Sequence, residues 1–490
     1  MKKDTSNTAK TIRGVSTQSI VTLALGVVEI VVFSFMSHLL SKEDFGYFSA
    51  LTAITTIFAS FSETGIGSAI IQKKDADKRY VNNAFTMSFL VGVFLMLLLF
   101  CLAGPLSKAV GDVSLKKPLM IMSVTLLCNC LTSINNSLMY KKLQFLKVGV
   151  VQLTAITVSG IVSIILAALG FGFYAILCQA VMIAVLSFIL SYFVSGVKYQ
   201  FSLAKGMVKD IWSFSGWLMA SVLFRNLAQQ IDNLMMPRLI SMETLGAYNR
   251  PRTFIEKISS KLNSIFDVAL FPILSGIQDD QAAMKRAFDK VLFVMSLVGT
   301  GLCVLFFFNA ELLVKVFLGV KWLDLLPLFQ IFTISVVFKV YGRLADCMMR
   351  SLAMTKQQFF FRIAEFVAKF PAILIGVKWG MYGIAVAVVL ADIVMRLVKV
   401  CYIAIKIKYP IAEVFTRMVV SNKVFLLVLP IMTAIYLALP HTLWGNVALA
   451  AGSAVVFVII FGCFPSFVGA TYREAIWSPV KSRIQKLISK

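Results

Sequence analysis

The chain has 490 residues, 59% hydrophobic and only 14% charged, where a soluble protein is roughly 45–50% apolar and about 25% charged. That balance excludes an ordinary cytosolic enzyme and an intrinsically disordered chain. A net charge of +24 does not signal nucleic acid here, because Lys and Arg stand in small groups between apolar runs and form no basic domain interleaved with aromatics.

Met1–Arg13 is polar and basic, and the apolar run after it is too long for a cleavable signal, with no small-residue cleavage site at its end. A membrane span needs about 20 mainly apolar residues. By that measure the chain reads as an all-α polytopic membrane protein of about 14 helices, near 15–37, 46–71, 82–104, 118–138, 148–169, 173–196, 212–237, 246–275, 291–309, 325–349, 360–377, 381–404, 424–439 and 445–466. Val148–Val197 carries no charged residue and divides into two spans at Gly170-Phe-Gly172. The organisation expected is a tail (1–13), a first lobe (14–197), a linker (198–211), a second lobe (212–405), a loop (406–423), two further spans (424–466) and a basic tail (467–490).

Loop charge sets the orientation. With both termini cytoplasmic, Lys73-Lys74, Lys78-Arg79, Lys141-Lys142, Lys285-Arg286, Lys406, Lys408 and the tail cations from Lys481 to Lys490 all fall inside. The inside segments then hold several-fold more Lys and Arg than the outside ones. Lys141 and Lys142 read as orienting charges that can also touch lipid headgroups.

The sequence also repeats itself. Leu39-Leu-Ser-Lys-Glu-Asp-Phe-Gly-Tyr-Phe48 returns as Leu239-Ile-Ser-Met-Glu-Thr-Leu-Gly-Ala-Tyr248, so that Ser41/Ser241, Glu43/Glu243 and Gly46/Gly246 coincide. Six helices per copy is an even number, so both copies enter the membrane in one direction. Two parallel-repeat lobes with a site between them, plus two extra C-terminal helices, is a transporter plan. Gly46 and Gly246 are expected at equivalent outer positions as close-packing or turn glycines.

Leu40-Ser-Lys-Glu-Asp-Phe-Gly46, Ser62-Glu-Thr-Gly-Ile-Gly-Ser-Ala-Ile-Ile-Gln-Lys73, Ile231-Asp-Asn-Leu234, Leu245-Gly-Ala-Tyr-Asn-Arg250, Phe271-Pro-Ile-Leu-Ser275 and Leu318-Gly-Val-Lys-Trp322 extend over the duplicated region. Together they resemble the Wzx-type polysaccharide or O-antigen repeat-unit flippases of the multidrug/oligosaccharidyl-lipid/polysaccharide exporter superfamily. The family's usual Arg before the first Leu-Ser-x-Glu is His38 here, whereas the repeat keeps Arg238. The resemblance implies a bacterial inner-membrane carrier of undecaprenyl-diphosphate-linked oligosaccharide, working by alternating access for lipopolysaccharide, capsule or exopolysaccharide synthesis. It also implies neighbours in the polysaccharide polymerase and chain-length machinery, and no cofactor.

Ionisable residues at membrane depth are costly and generally face a bundle interior or a water-filled cavity. The first six spans hold Glu29 and Glu63. The seventh to twelfth hold Arg225 and Asp232; Arg250, Arg252, Glu256, Lys257, Lys261 and Asp267; Lys339, Arg343, Asp346 and Arg350; Arg362, Glu365 and Lys369; and Asp392, Arg396 and Lys399. Arg343, Asp346 and Arg350, the Arg362 set and the Asp392 set each fall at helical spacing that shares one face. Each is two cations around one acid, a pattern suited to a diphosphate. Arg225, Arg343, Arg362, Lys369 and Arg396 are therefore the candidate diphosphate ligands. Asp232, Asp346, Glu365 and Asp392 are their charge partners, and Glu29 and Glu63 are candidates for H⁺ or Na⁺ coupling. The alternative is that these charges are salt bridges locking the second lobe. For Arg350 and Lys399, near helix ends, snorkelling to the cytoplasmic interface is expected.

No Walker loop, no Gly-x-Ser-x-Gly and no metal-spaced Cys/His set is present, so the expectation is a transporter and not an enzyme. Two other readings remain: an ion-coupled drug or cation exporter, which calls for an acidic cavity, and a membrane-embedded polymerase, which calls for a large outside loop.

Overall fold

The structure, a computed structural model, describes residues 2–61, 66–73, 77–423, 425–438 and 442–463. Glu63 and the basic tail 467–490 lie outside the described residues. No strand occurs among those described, as expected for a chain that must satisfy its backbone within lipid.

The helices are α1 (Lys2–Leu39), α2 (Lys42–Ala59), α3 (Ile66–Gln72), α4 (Lys78–Val110), α5 (Lys116–Lys141), α6 (Phe145–Ala168), α7 (Phe173–Ser195), α8 (Lys205–Leu239) and α9 (Met242–Gly276). They continue as α10 (Gln281–Phe308), α11 (Ala310–Leu313), α12 (Leu326–Ser351), α13 (Thr355–Gly376), α14 (Gly380–Lys406), α15 (Ile411–Asn422), α16 (Phe425–Ala438) and α17 (Leu443–Cys463). Helix underlies each expected span. Seven of the described helices are long and apolar enough to cross a membrane on those grounds alone.

Two elements depart from the sequence reading. The helix expected over 46–71 ends at Ala59, where Ser60 and Phe61 form a turn, and resumes as the short α3. The expected loop 406–423 contains α15. Its apolar residues already have helical spacing, but at 12 residues it is too short to register as a span.

Contacts divide the chain into two compact units, Met1–Lys257 with Arg362–Met381, and Ile258–Phe361 with Tyr382–Lys490. In the first unit the repeated motif acts twice as a helix start. Ser41 caps α2 by accepting from the Asp44 N–H at 3.1 Å, while Asp44 accepts from the Ser41 N–H at 2.9 Å. At α9, Ser241 accepts from the Thr244 N–H at 3.1 Å. One turn on, α2 and α9 cross backbone to backbone. A Cβ built on Gly46 collides with the Met242 carbonyl, and one on Gly246 collides with the Lys42 carbonyl. Small residues at such a crossing are how lipid-embedded helices gain packing energy without a hydrophobic driving force. The same logic joins α1 to α6, where Gly149 and Gly160 admit Val21 and Val32.

The segment after α7 is strapped to α4. Asn82 accepts from the Gln200 N–H at 3.2 Å, Thr86 from Ser202 at 3.0 Å and Asn83 from Ala204 at 2.6 Å. Alternate residues turn to the other side, so Tyr199 stacks on Phe85 at 4.0 Å. The strap thus closes its backbone bonding on polar side chains that sit inside an otherwise apolar helix.

In the second unit, α10, α12, α14 and α15 share an apolar core around Phe288, Leu344, Met348, Ile403 and Val414. Asp289 on α10 ties the α14–α15 junction, accepting from the Tyr409 hydroxyl at 2.6 Å and from Arg417 Nε at 2.7 Å. Burial and the Asp289 carboxylate together push the Tyr409 hydroxyl above the usual phenol range.

The crossing sets the first test. Gly246→Val should lower the thermal stability of the purified protein by about 1–3 kcal/mol through overpacking. Gly276→Val, where a Cβ meets nothing within 4 Å, should cost far less. Equal losses in detergent melting curves would show that α2 and α9 do not touch backbone to backbone.

Candidate functional site

The first unit gathers charge where α8 and α9 meet. Asp232 on α8, 1% exposed, accepts from the Tyr248 hydroxyl at 2.9 Å and pairs with Arg252 of α9. Arg252 also reaches Glu256 at 3.1 Å and the Gln229 carbonyl at 3.2 Å. One turn further along α9, Lys257 pairs with Glu29 of α1 at 3.4 Å. Both partners keep part of their surface open, whereas the Asp232–Arg252 pair is sealed.

Arg250 sits differently. Its guanidinium lies between the rings of Phe33 and Phe45, at 3.4 and 3.8 Å from their centroids. Its edge donates to the Ser37 hydroxyl and to the Phe33 carbonyl. Among the described residues no carboxylate faces it. Two aromatic faces and two oxygen acceptors make this buried cation tolerable, and they occupy both faces and the Nε–Nη2 edge of the guanidinium. Arg250 is a pin between α1, α2 and α9.

Within the same unit α8 is fixed on α2 by Asn226, which donates to Ser60 at 2.8 Å. On α13, Arg362 and Glu365 pair at 3.0 Å, and Lys369 is buried. In the second unit Lys399 of α14 pairs with Asp346 of α12 at 3.4 Å, and Arg396 with Asp392 at 3.6 Å. Gly342 on α12 makes room for the Arg396 stem, since a Cβ there falls 2.9 Å from the guanidinium.

The candidate ligands therefore distribute as Arg225, Arg362 and Lys369 in the first unit and Arg343 and Arg396 in the second. Glu365 and Asp392 each hold the cation on their own helix, as the spacing suggests. Asp232 does not rely on Arg225, two turns away, but takes Arg252 from the neighbouring helix. Lys399 does not snorkel: its side chain is 2% exposed, because Asp346 supplies the charge that water would otherwise provide. Arg350 is exposed and donates to the Asp346 carbonyl at 3.4 Å. Lys141 points inward, donating to the Ile70 and Lys73 carbonyls at the end of α3, while Lys142 stays exposed.

Arg250, Arg252 and Lys257 stand out more in the structure than in the sequence. The signal that finds them is the repeat itself. In the motif's own register Arg250 and Arg252 stand where the first copy has Ala50 and Thr52, so the charge belongs to the second copy alone.

The chain belongs to the polysaccharide biosynthesis protein family, whose pattern it matches over residues 35–327, more than half its length. It is 23% identical over 390 residues to the lipopolysaccharide biosynthesis protein WzxC of Escherichia coli K12, covering 79% of each chain. It is 22% identical over 347 residues to the teichuronic acid biosynthesis protein TuaB of Bacillus subtilis, covering 68% of this chain and 69% of that protein. Its fold is that of a polytopic membrane transporter: it superposes on the lipid II flippase MurJ in an inward closed conformation with a TM-score of 0.70 and 16% identity, covering 91% of this chain and 98% of that one.

The sealed pair offers a direct test of charge compensation. Arg252→Ala strands Asp232 and should cost about 3–5 kcal/mol, seen as a sharp fall in the protein recovered from membranes. Arg252→Ala with Asp232→Ala should recover most of that level. A single variant present at the normal level would show that the pair compensates nothing.

Proposed function

We propose that the protein is a Wzx-type flippase that carries undecaprenyl-diphosphate-linked oligosaccharide repeat units from the cytoplasmic to the outer leaflet of the bacterial inner membrane. The observation that carries this reading is membership of the polysaccharide biosynthesis family together with a flippase-like fold, in a chain whose α12, α13 and α14 each carry more cations than acids. The protein is a transporter and not an enzyme. It crosses the membrane fourteen times with both termini cytoplasmic, and it delivers its product to a polysaccharide polymerase and chain-length machinery.

Arg225, Arg343, Arg362, Lys369 and Arg396 are the proposed diphosphate ligands. A guanidinium offers a planar fork of donors that matches two phosphate oxygens, which a lysine ammonium cannot reproduce. In this reading Glu365 and Asp392, each on the helix of its arginine, keep the cation tolerable until a phosphate displaces them. Arg362–Glu365, with side chains 15% and 13% exposed, supports such an exchange. Arg250, locked between two rings, does not.

H⁺ or Na⁺ coupling falls to the carboxylates. Glu29 is the better placed of those described, because its Lys257 partner is partly exposed, and an entering cation displaces it with little repacking. The drug-exporter reading is weaker, since an organic cation requires net acid at this depth and cations outnumber acids along α12, α13 and α14.

Surface polysaccharide and membrane abundance together test the assignment. In cells that depend on this protein, Arg362→Ala should leave abundance near normal and reduce polymer at least about tenfold, the loss of one charge-assisted fork being worth about 1.5–3 kcal/mol. Arg362→Lys should retain part of the activity. Recovery of polymer on adding Glu365→Ala to Arg362→Ala would mean that the arginine is a structural lock and not a ligand.

A further inference from the structure

Helix α15 divides into three sectors along its length. Val414, Met418 and Ser421 are buried against the second unit's core, which also holds Phe288 and Leu344. Glu413, Thr416 and Arg417 lie on the side away from the core, with Val420, 40% exposed, among them. Between them, Ile411, Phe415 and Val419 are 41%, 45% and 71% exposed, and their spacing of four residues aligns them in one row on the helix.

The helix is not free to turn this row inward. Asp289 clamps it through Arg417 and the Tyr409 hydroxyl, and the Tyr409 ring packs edge-on against Phe288 at 5.4 Å. Exposed lysines flank both ends, Lys406 and Lys408 before it and Lys423 after it. Arg286 and Lys290 are exposed on the first turns of α10, beside Asp289. So a fixed apolar row, a mainly polar side next to it and a rim of cations coincide at the basic end of these helices. A helix of this composition lies in the plane of a membrane interface, and basic residues beside it attract anionic lipid.

We propose that α15 is an in-plane anchor in the cytoplasmic leaflet, with Ile411, Phe415 and Val419 at the boundary of acyl chains and headgroups and Lys406, Lys408 and Lys423 on the phosphates of anionic lipid. This rests on the reading that the basic helix ends face the cytoplasm. A second copy of the chain is the weaker occupant. The row is roughly 12 Å long at 1.5 Å per residue, and a single side-chain row of that length falls well short of the about 800 Å² per partner that a stable dimer buries. The rim of like charge also repels a copy of itself.

The experiment uses full-length protein in vesicles of phosphatidylcholine with phosphatidylglycerol, carrying photoreactive benzoylphenylalanine in place of Val419 or, as the control away from the apolar row, of Glu413. Both positions are exposed, so neither replacement disturbs the core. Illumination should give phospholipid adducts at 419 several-fold more often than at 413, with phosphatidylglycerol enriched over its share of the vesicle. Adding Lys408→Gln and Lys423→Gln should reduce that enrichment, by up to about fivefold per charge removed. Coupling of position 419 to a second copy, equal lipid adducts at 413 and 419, or an enrichment indifferent to the two lysines would each overturn the proposal. None of these readings needs the transported substrate, so failure here leaves the transport assignment standing.

Discussion

A guanidinium buried among helices must bring its own solvent, and the arrangement of the first unit follows from that. Left without partners, such a charge costs several kcal/mol. Arg250 and Arg252, two residues apart and both buried, meet that cost in different ways. Arg252 is neutralised by Asp232, which Tyr248 holds in place. Arg250 uses two aromatic faces, a hydroxyl and a carbonyl. Both solutions draw their groups from other helices, so the charges tie α9 to α8, α1 and α2. The glycine crossing of α2 and α9 brings these elements within reach.

Compensation of this kind separates two roles for charge. Where the cation is buried and bound across helices, as at Arg250 and in the sealed Asp232–Arg252 pair, it is part of the framework. Where the pair is local to one helix and partly open, as at Arg362–Glu365 and Arg396–Asp392, the geometry suits the proposed exchange of the acid for a ligand anion. A carrier of diphosphate-linked lipid requires both: fixed charges that hold helices in register, and exchangeable ones that are stable when empty. Lys399 with Asp346 belongs to the first kind, being buried and shared between two helices.

Much of this was legible in the sequence, for physical reasons. Long apolar runs declare spans because lipid permits nothing else, and the repeat paired Gly46 with Gly246 as close-packing or turn glycines, which the crossing of α2 and α9 matches; the helix-starting role of Ser41 and Ser241 was not read from it. What spacing along one helix cannot reveal is a partner on another helix. It put Asp346 with Arg343 and Arg350 on one face but not with Lys399, and Asp232 with Arg225 rather than Arg252. It treated Asn82, Asn83 and Thr86 as part of an apolar run, although they bind the strap after α7. It also passed over α15, whose helical period is real but whose length is below that of a span. The candidate site was legible as a set of residue types on particular helices and in its pairings within one helix, and its pairings between helices were not.

Movement of a diphosphate-linked oligosaccharide between leaflets, as proposed, can be measured directly. Purified protein is reconstituted into vesicles carrying undecaprenyl-diphosphate oligosaccharide in the inner leaflet, and exposure of the sugar to a membrane-impermeant glycosidase is followed. Exposure should depend on the protein, and an undecaprenyl-monophosphate lipid bearing the same sugar should not match it. Exposure at the protein-free rate, or equal rates for the monophosphate and diphosphate lipids, would contradict the proposed function.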